Sequence, residues 1–282
     1  MSGQKAGVAE VICVCSWSDA STWEKGAPYI LRNIAAERYK LLVPDGEVTD
    51  FRRISPDVFE VIPESRYVAT IAKCLDECIP AGRTRRKGWY LQQFIKMAAV
   101  LAAGRDETVL IWDADTVPLK PLDFVDPAGR IRYYKGVEHH LPYFSLIEKL
   151  LGLDKTINFS FIAQCFALRG RWLAELCDEI ERKYGVPWYE AIISQIDFSQ
   201  DSGFSEYETM GTYIARRHPD EISFYGGPWW RYGNRLVGDI DLLTERKARS
   251  LLRSYDFISF EKWERRPRSL WLRKLIARIL PG

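Results

Sequence analysis

Thr108-Val109-Leu110-Ile111-Trp112-Asp113-Ala114-Asp115-Thr116-Val117-Pro118-Leu119 decides the reading of this chain. Residues 108–112 run without alternation between apolar and polar, the pattern of a parallel strand covered on both faces. That pattern predicts a central strand. Two carboxylates one residue apart follow, and Pro118 breaks the strand, so Asp113 and Asp115 fall at the carboxyl edge of a sheet. Open α/β sheets bind ligands at that edge. Unpaired carboxylates are costly to bury there. A hard divalent cation removes the cost, because Mg²⁺ and Mn²⁺ prefer oxygen ligands and sit between one or two carboxylates and substrate phosphates. A bare Asp-X-Asp is equally the mark of a strand end whose carboxylates cap a turn.

Upstream, Gly88-Trp89-Tyr90-Leu91-Gln92-Gln93-Phe94-Ile95-Lys96-Met97 reads as a helix that extends to Ala103 and stops at Gly104-Arg105-Asp106. At 3.6 residues per turn Trp89, Gln92, Gln93 and Lys96 share a face, where amide and ammonium donors reach an anion or a sugar, or simply meet solvent; Leu91, Phe94, Ile95 and Ala98 are left for packing. Further strands are expected at Val11–Cys15, Tyr39–Val43, Val58–Ile62, Ile131–Tyr134 and Phe159–Ala167. Helices are expected at Val68–Glu77, Tyr143–Leu151, Arg171–Lys183, Pro187–Ile196 and Glu206–Arg216. Strand and helix alternate over residues 8–220, which predicts an α/β fold with a mostly parallel central sheet and helices on both faces.

Composition agrees with a folded domain. Of 282 residues 47% are hydrophobic and 28% charged, which excludes disorder and coiled coil for the whole. Forty Lys and Arg against 38 Asp and Glu leave a charge of +2, too little for a global field that gathers nucleic acid. Six Cys are too few for a disulfide scaffold and lack zinc spacing, so a reducing compartment is expected. The pairs Cys13/Cys15 and Cys74/Cys78 are read as packing residues. No apolar run reaches the roughly 18–20 residues of a membrane span, and no secretion signal opens the chain. A cytoplasmic protein is the expectation.

Three segments in order, Gly88 to Lys96, Trp112 to Leu119, and Phe204-Ser205-Glu206-Tyr207-Glu208-Thr209-Met210-Gly211-Thr212-Tyr213, resemble a bacterial family of glycosyltransferase-like proteins of the A-type fold. The resemblance covers roughly residues 8–235 and implies a nucleotide-sugar donor, with Asp113 and Asp115 matching the family's metal-binding Asp-X-Asp. Ser205 and Glu208 form a capping-box pattern at a helix start. A carboxylate at that place in the resembled fold serves as general base in inverting sugar transfer, so Glu206 is the first candidate and Glu208 the second. Lys96 is expected to share the diphosphate charge. Ser16, Ser18, Asp19 and Asp45 lie where this fold holds the nucleoside, although ordinary loop polarity accounts for each as well. Glu138-His139-His140-Leu141-Pro142-Tyr143-Phe144 resembles a further family segment, with His139 departing at a Tyr position; His140, Tyr143 and Gln164 become candidate sugar contacts. His218 is a candidate third metal ligand or, more simply, a surface histidine.

The expected transferase domain spans 1–235, followed by an extension over 236–282. Residues 265–282 carry six Arg and Lys and no acid, with Trp271, Leu272, Leu275, Ile276 and Ile279 at helical spacing. This is a basic amphipathic helix suited to an anionic membrane surface at the cytosolic face of the inner membrane, or to docking on the domain. The whole reads as a glycosyltransferase dependent on Mn²⁺ or Mg²⁺, acting on a glycan or lipid-linked acceptor. The alternatives are a noncatalytic sugar- or lipid-binding protein of the same fold and a nucleotidyltransferase, the latter without a phosphate-cradling Gly-rich loop. Nucleic acid is disfavoured, since Arg83 to Lys87 is one short basic run with no module around it.

Overall fold

The computed structural model describes residues 7–261. From the amino end the chain lays down β1 (Val8–Val14), α1 (Ala20–Asn33), β2 (Ala36–Val43), α2 (Val48–Ile54), β3 (Phe59–Pro63) and α3 (Ser65–Cys78). A 3-10 turn over Ala81–Arg86 leads into α4 (Lys87–Leu101), β4 (Thr108–Trp112) and the short β5 (Thr116–Pro118). Then come β6 (Ile131–Tyr134), α5 (Leu141–Leu151), β7 (Cys165–Arg169), α6 (Gly170–Tyr184), α7 (Trp188–Gln195) and α8 (Glu206–Arg217). The described chain closes with β8 (Ile222–Tyr225), β9 (Trp229–Trp230), α9 (Gly233–Val237), α10 (Glu245–Leu251) and β10 (Phe257–Ser259).

The main sheet has the order β3-β2-β1-β4-β7, with all pairs parallel except β4 with β7. β4 is buried along its whole length, as its apolar run requires, but β1 holds the centre and β4 lies beside it. Helices pack on both faces. Fully buried Trp23, Phe94, Trp112 and Trp172 fill the space between layers. α5 and α6 end on Gly152 and Gly185, whose φ of 65° and 70° let the chain leave each helix in the left-handed region open to glycine.

Two expectations change. The strand expected at Phe159–Ala167 begins only at Cys165, because Gln164 adopts φ 62° and turns the backbone. Residues 236–261 also do not form a separate extension. β10 pairs with both β5 and β9, and Ile258 and Phe260 share a second apolar core with Tyr29, Val117 and Val237. Residues 265–282, with the amphipathic pattern, lie outside the described residues.

Candidate functional site

A cleft of about 990 Å³ opens where the parallel strands of the main sheet end. The turn after β1 brings Ser16 and Asp19 to it, α4 brings Trp89, Gln92, Gln93 and Lys96, and the exit of β4 brings Asp113 and Asp115. Gln164 enters just before β7, Tyr143 from α5, and Glu206 from the first turn of α8. Seven carboxylates and three cationic side chains line it, so acidic groups outnumber basic ones in the lining.

At the centre stands Lys96, 5% exposed. Its Nζ donates to Asp113 Oδ1 at 2.6 Å, Glu206 Oε1 at 2.8 Å and Tyr207 Oη at 3.2 Å. Tyr207 donates in turn to the same Asp113 oxygen at 2.7 Å and is stacked on Phe166. Burial opposes the charge on Lys96, yet Asp113 and Glu206 hold its pKa above the ordinary lysine value. One ammonium shared by two carboxylates leaves one negative charge over. Burial accordingly keeps Glu206 above the usual carboxylate range against the pull of Lys96.

Asp115 differs. It accepts from Thr116 Oγ1 at 3.2 Å, and among the described residues no Lys or Arg pairs with it. Burial first, then the carboxylates of Glu261, Asp113 and Asp19, pushes it well above the ordinary aspartate pKa. Uncompensated negative charge of this kind fits a cation. Among the described residues no three His, Cys, Asp or Glu side chains converge as a ready-made cage. Asp113 and Asp115 could supply at most two carboxylates to a cation, and Asp113 Oδ1 is already shared by Lys96 and Tyr207.

The other expected residues divide. Gln93 lies at the cleft, but its amide is engaged in structure: Oε1 accepts the backbone N–H of Glu206 at 3.0 Å, tying α4 to the start of α8. Ser205 Oγ caps α8 by accepting from the Glu208 N–H at 3.3 Å. Glu208 does not reach back to complete the box. Fully buried, it accepts from Lys155 Nζ at 2.7 Å, the Phe161 N–H at 3.1 Å and Ser160 Oγ, and it is not part of the cleft lining. Glu208 is thus placed to hold the 155–161 loop, which removes it as a candidate base. Residues two positions apart on a helix are rotated by about 200°, so Glu206 and Glu208 point to opposite sides.

Ser18 and Asp45 also stand outside the lining. Ser18 Oγ lies 2.7 Å from Ser16 Oγ, and Asp45 accepts from the Ser65 backbone N–H at 3.2 Å and from its hydroxyl. His140 turns from the cleft to the Ser202 carbonyl, 2.7 Å from Nε2. His218 stacks on Trp172 and meets Glu175 at 2.7 Å, away from the cleft and from both aspartates. Cys13 and Cys15 are buried, as packing residues should be.

Two cleft residues had no sequence signal. Arg231 joins Glu138 at 2.5 Å to Glu261 at 2.7 Å, closing the wall beside Asp115. Burial disfavours its charge, but the two carboxylates hold it protonated. These residues are 93 and 30 positions from Arg231, so only the fold brings them together.

Fold and site together define an open α/β protein with a carboxylate- and lysine-centred ligand cleft at the carboxyl ends of its parallel strands. The chain belongs to the family of unknown function DUF6492, whose model matches residues 30–221. That span contains Lys96, Asp113, Asp115 and Glu206, and leaves out Ser16, Asp19, Arg231 and Glu261. No curated protein matches the sequence. Among solved structures, mouse xyloside xylosyltransferase 1 in its apo form is similar at 10% identity and a TM-score of 0.44, over 92% of this chain and 99% of that one. The apo bifunctional glycosyltransferase WbbM is similar at 13% identity and 0.48, over 92% of this chain and 46% of that one. The galactosyltransferase LgtC, with donor and acceptor sugar analogs, is similar at 9% identity and 0.41, over 89% and 86%. This chain spans less than half the length of WbbM. At these identities and scores the likenesses say nothing of its activity or substrate.

Proposed function

We propose that this chain is a glycosyltransferase that moves a sugar, a hexose or a related one, from a nucleotide-sugar donor to a glycan or lipid-linked acceptor with inversion. The observation that carries the reading is the placing of Asp113 and Asp115 at the carboxyl edge of β4, in one cleft with buried Lys96 and Glu206. Ser16 and Asp19 receive the nucleoside. Asp113 and Asp115 would hold a divalent cation, Mn²⁺ or Mg²⁺, and that ion would supply charge stabilisation for a departing diphosphate. Lys96 adds a fixed, desolvated positive charge that needs no reorganisation during the reaction. Glu206, raised by burial, takes the proton of the acceptor hydroxyl as that oxygen attacks the anomeric carbon. Tyr207 and Asp113 keep the lysine in place. The basic, acid-free sequence 265–282 suits an anionic membrane surface, which supports a membrane-borne acceptor. No helix among the described residues is long and apolar enough to cross a membrane.

Release of nucleoside diphosphate from a panel of nucleotide sugars, with and without Mn²⁺, tests the proposal. The expected result is metal-dependent release that Asp113→Ala and Asp115→Ala abolish. Folded protein that neither binds nor turns over any donor favours the noncatalytic binding reading instead.

A further inference from the structure

The segment from Lys135 to Leu141 borders the cleft, and its residues alternate. Gly136, Glu138 and His140 turn into the protein, while Lys135, Val137, His139 and Leu141 face solvent. Each inward residue is fixed. Gly136 exchanges both backbone hydrogen bonds with Ser160, at 2.7 and 3.0 Å, and a Cβ there would lie 2.3 Å from the Ile162 carbonyl oxygen. Glu138 meets Arg231 at 2.5 Å, and His140 Nε2 lies 2.7 Å from the Ser202 carbonyl oxygen. A strip pinned along its inner side keeps its outer side turned to solvent. Val137 is 96% and Leu141 67% exposed, the highest values among the large hydrophobic residues described.

Single exposed apolar residues are ordinary, but these belong to a patch. The Lys135 ammonium lies 5.2 Å from the centre of the Phe159 ring. Phe224, 41% exposed, packs on Phe159 at 4.8 Å, and Arg132 lies over the ring of Tyr225. The outward residues of the strip include no acid, since its one carboxylate, Glu138, is turned in against Arg231. Protein interfaces are depleted of lysine at their centre, whereas Lys135 stands between Val137 and Phe159. Aliphatic groups that can enter lipid, rings suited to the headgroup level and cations beside them fit an anionic bilayer surface.

We infer that this lip of the cleft docks on an anionic membrane surface, with Val137 and Leu141 entering the lipid. Glu138 lines the cleft from this lip and Tyr143 from two residues beyond it, so docking brings the cleft mouth to the headgroups. There a lipid-linked acceptor is reached without leaving the membrane. That choice of acceptor rests on the proposed function, whereas the docking does not.

Co-sedimentation of the full chain with phosphatidylcholine vesicles, with and without phosphatidylglycerol and in the absence of any nucleotide sugar, tests the docking. Wild type is compared with the double variant Val137→Ser/Leu141→Ser and with Val58→Ser, an exposed position outside the cleft lining. All three carry residues 265–282, so a difference between them belongs to the lip. The double variant is expected to keep the wild-type Tm and to bind phosphatidylglycerol vesicles about tenfold more weakly, as lost apolar insertion requires. The difference should persist in salt that screens the basic groups, and Val58→Ser should bind as wild type does. A double variant that binds as wild type does overturns the inference, as does wild type that binds neither vesicle. Self-association of wild type that the double variant loses, without vesicle binding, overturns it in favour of a contact between copies. None of these results touches nucleoside diphosphate release, which tests the proposed function; docking without that release overturns the acceptor assignment alone.

Discussion

Replacing Lys96 by Met keeps the length and the packing of the side chain and removes its charge. In the folded protein Nζ sits 2.6 Å from Asp113 and 2.8 Å from Glu206, with both Lys96 and Glu206 almost fully buried. Two carboxylates then face each other with no cation between them. Removing one partner of a buried pair costs about 3–5 kcal/mol. For a chain of this size that is a fall in Tm on the order of 10 °C. The sign of the pH dependence follows from the shifts. The folded pKa of Lys96 lies above its unfolded value of about 10.4, so its contribution is complete below that pH and is lost only as pH rises through the folded pKa. In the variant Glu206 rises further than burial already takes it, and the folded state keeps a proton that the unfolded state releases. Stability of Lys96→Met therefore falls as pH climbs from about 4.5 through that raised value. Urea unfolding at pH 5 and pH 8 measures both effects. The deficit against wild type is expected to be several kcal/mol at pH 8 and smaller at pH 5. A deficit below about 1 kcal/mol, the scale of an exposed pair, or one equal at the two pH values, refutes the shared buried ammonium.

Asp115→Asn removes a charge that burial and three carboxylates disfavour, so its Tm without metal at pH 7 is expected to exceed that of wild type while the Mn²⁺-induced thermal shift shrinks; differential scanning calorimetry reads both. Glu206→Gln is expected to lose about 10² to 10⁴ in kcat, whereas Glu208→Gln, outside the lining, loses stability but keeps kcat within about tenfold where it folds. Wild-type kcat should fall as pH drops through the raised pKa of Glu206, with a midpoint above the ordinary 4.5, and a midpoint at or below 4.5 in a pH-rate profile contradicts Glu206 as base. In Gly211→Ala the new Cβ lies 2.2 Å from the Phe161 ring, an overpacking expected to cost about 1–3 kcal/mol in chemical denaturation.

Much of this was legible in the amino-acid order. The apolar run Thr108–Trp112 is β4 to the residue, and the helix bearing Lys96 agrees within two residues at each end. Short-range periodicity and the cost of burying apolar groups act along the chain itself, so a linear reading recovers them. It also carries Asp113 and Asp115 to the sheet edge, since a strand's end is a local property. The fate of a particular polar group is not local. Glu206 and Glu208 look alike in sequence, yet one meets Lys96, 110 residues away, and the other Ser160, 48 away. Gln164 turns where an unbroken strand was expected, because the chain there must both accept from Asp113 and enter β7. Arg231 and Glu261 reach the cleft through β9 and β10, past the boundary that composition suggested. A buried charge is stable only beside its partner, and partners this far apart meet only once the chain has folded.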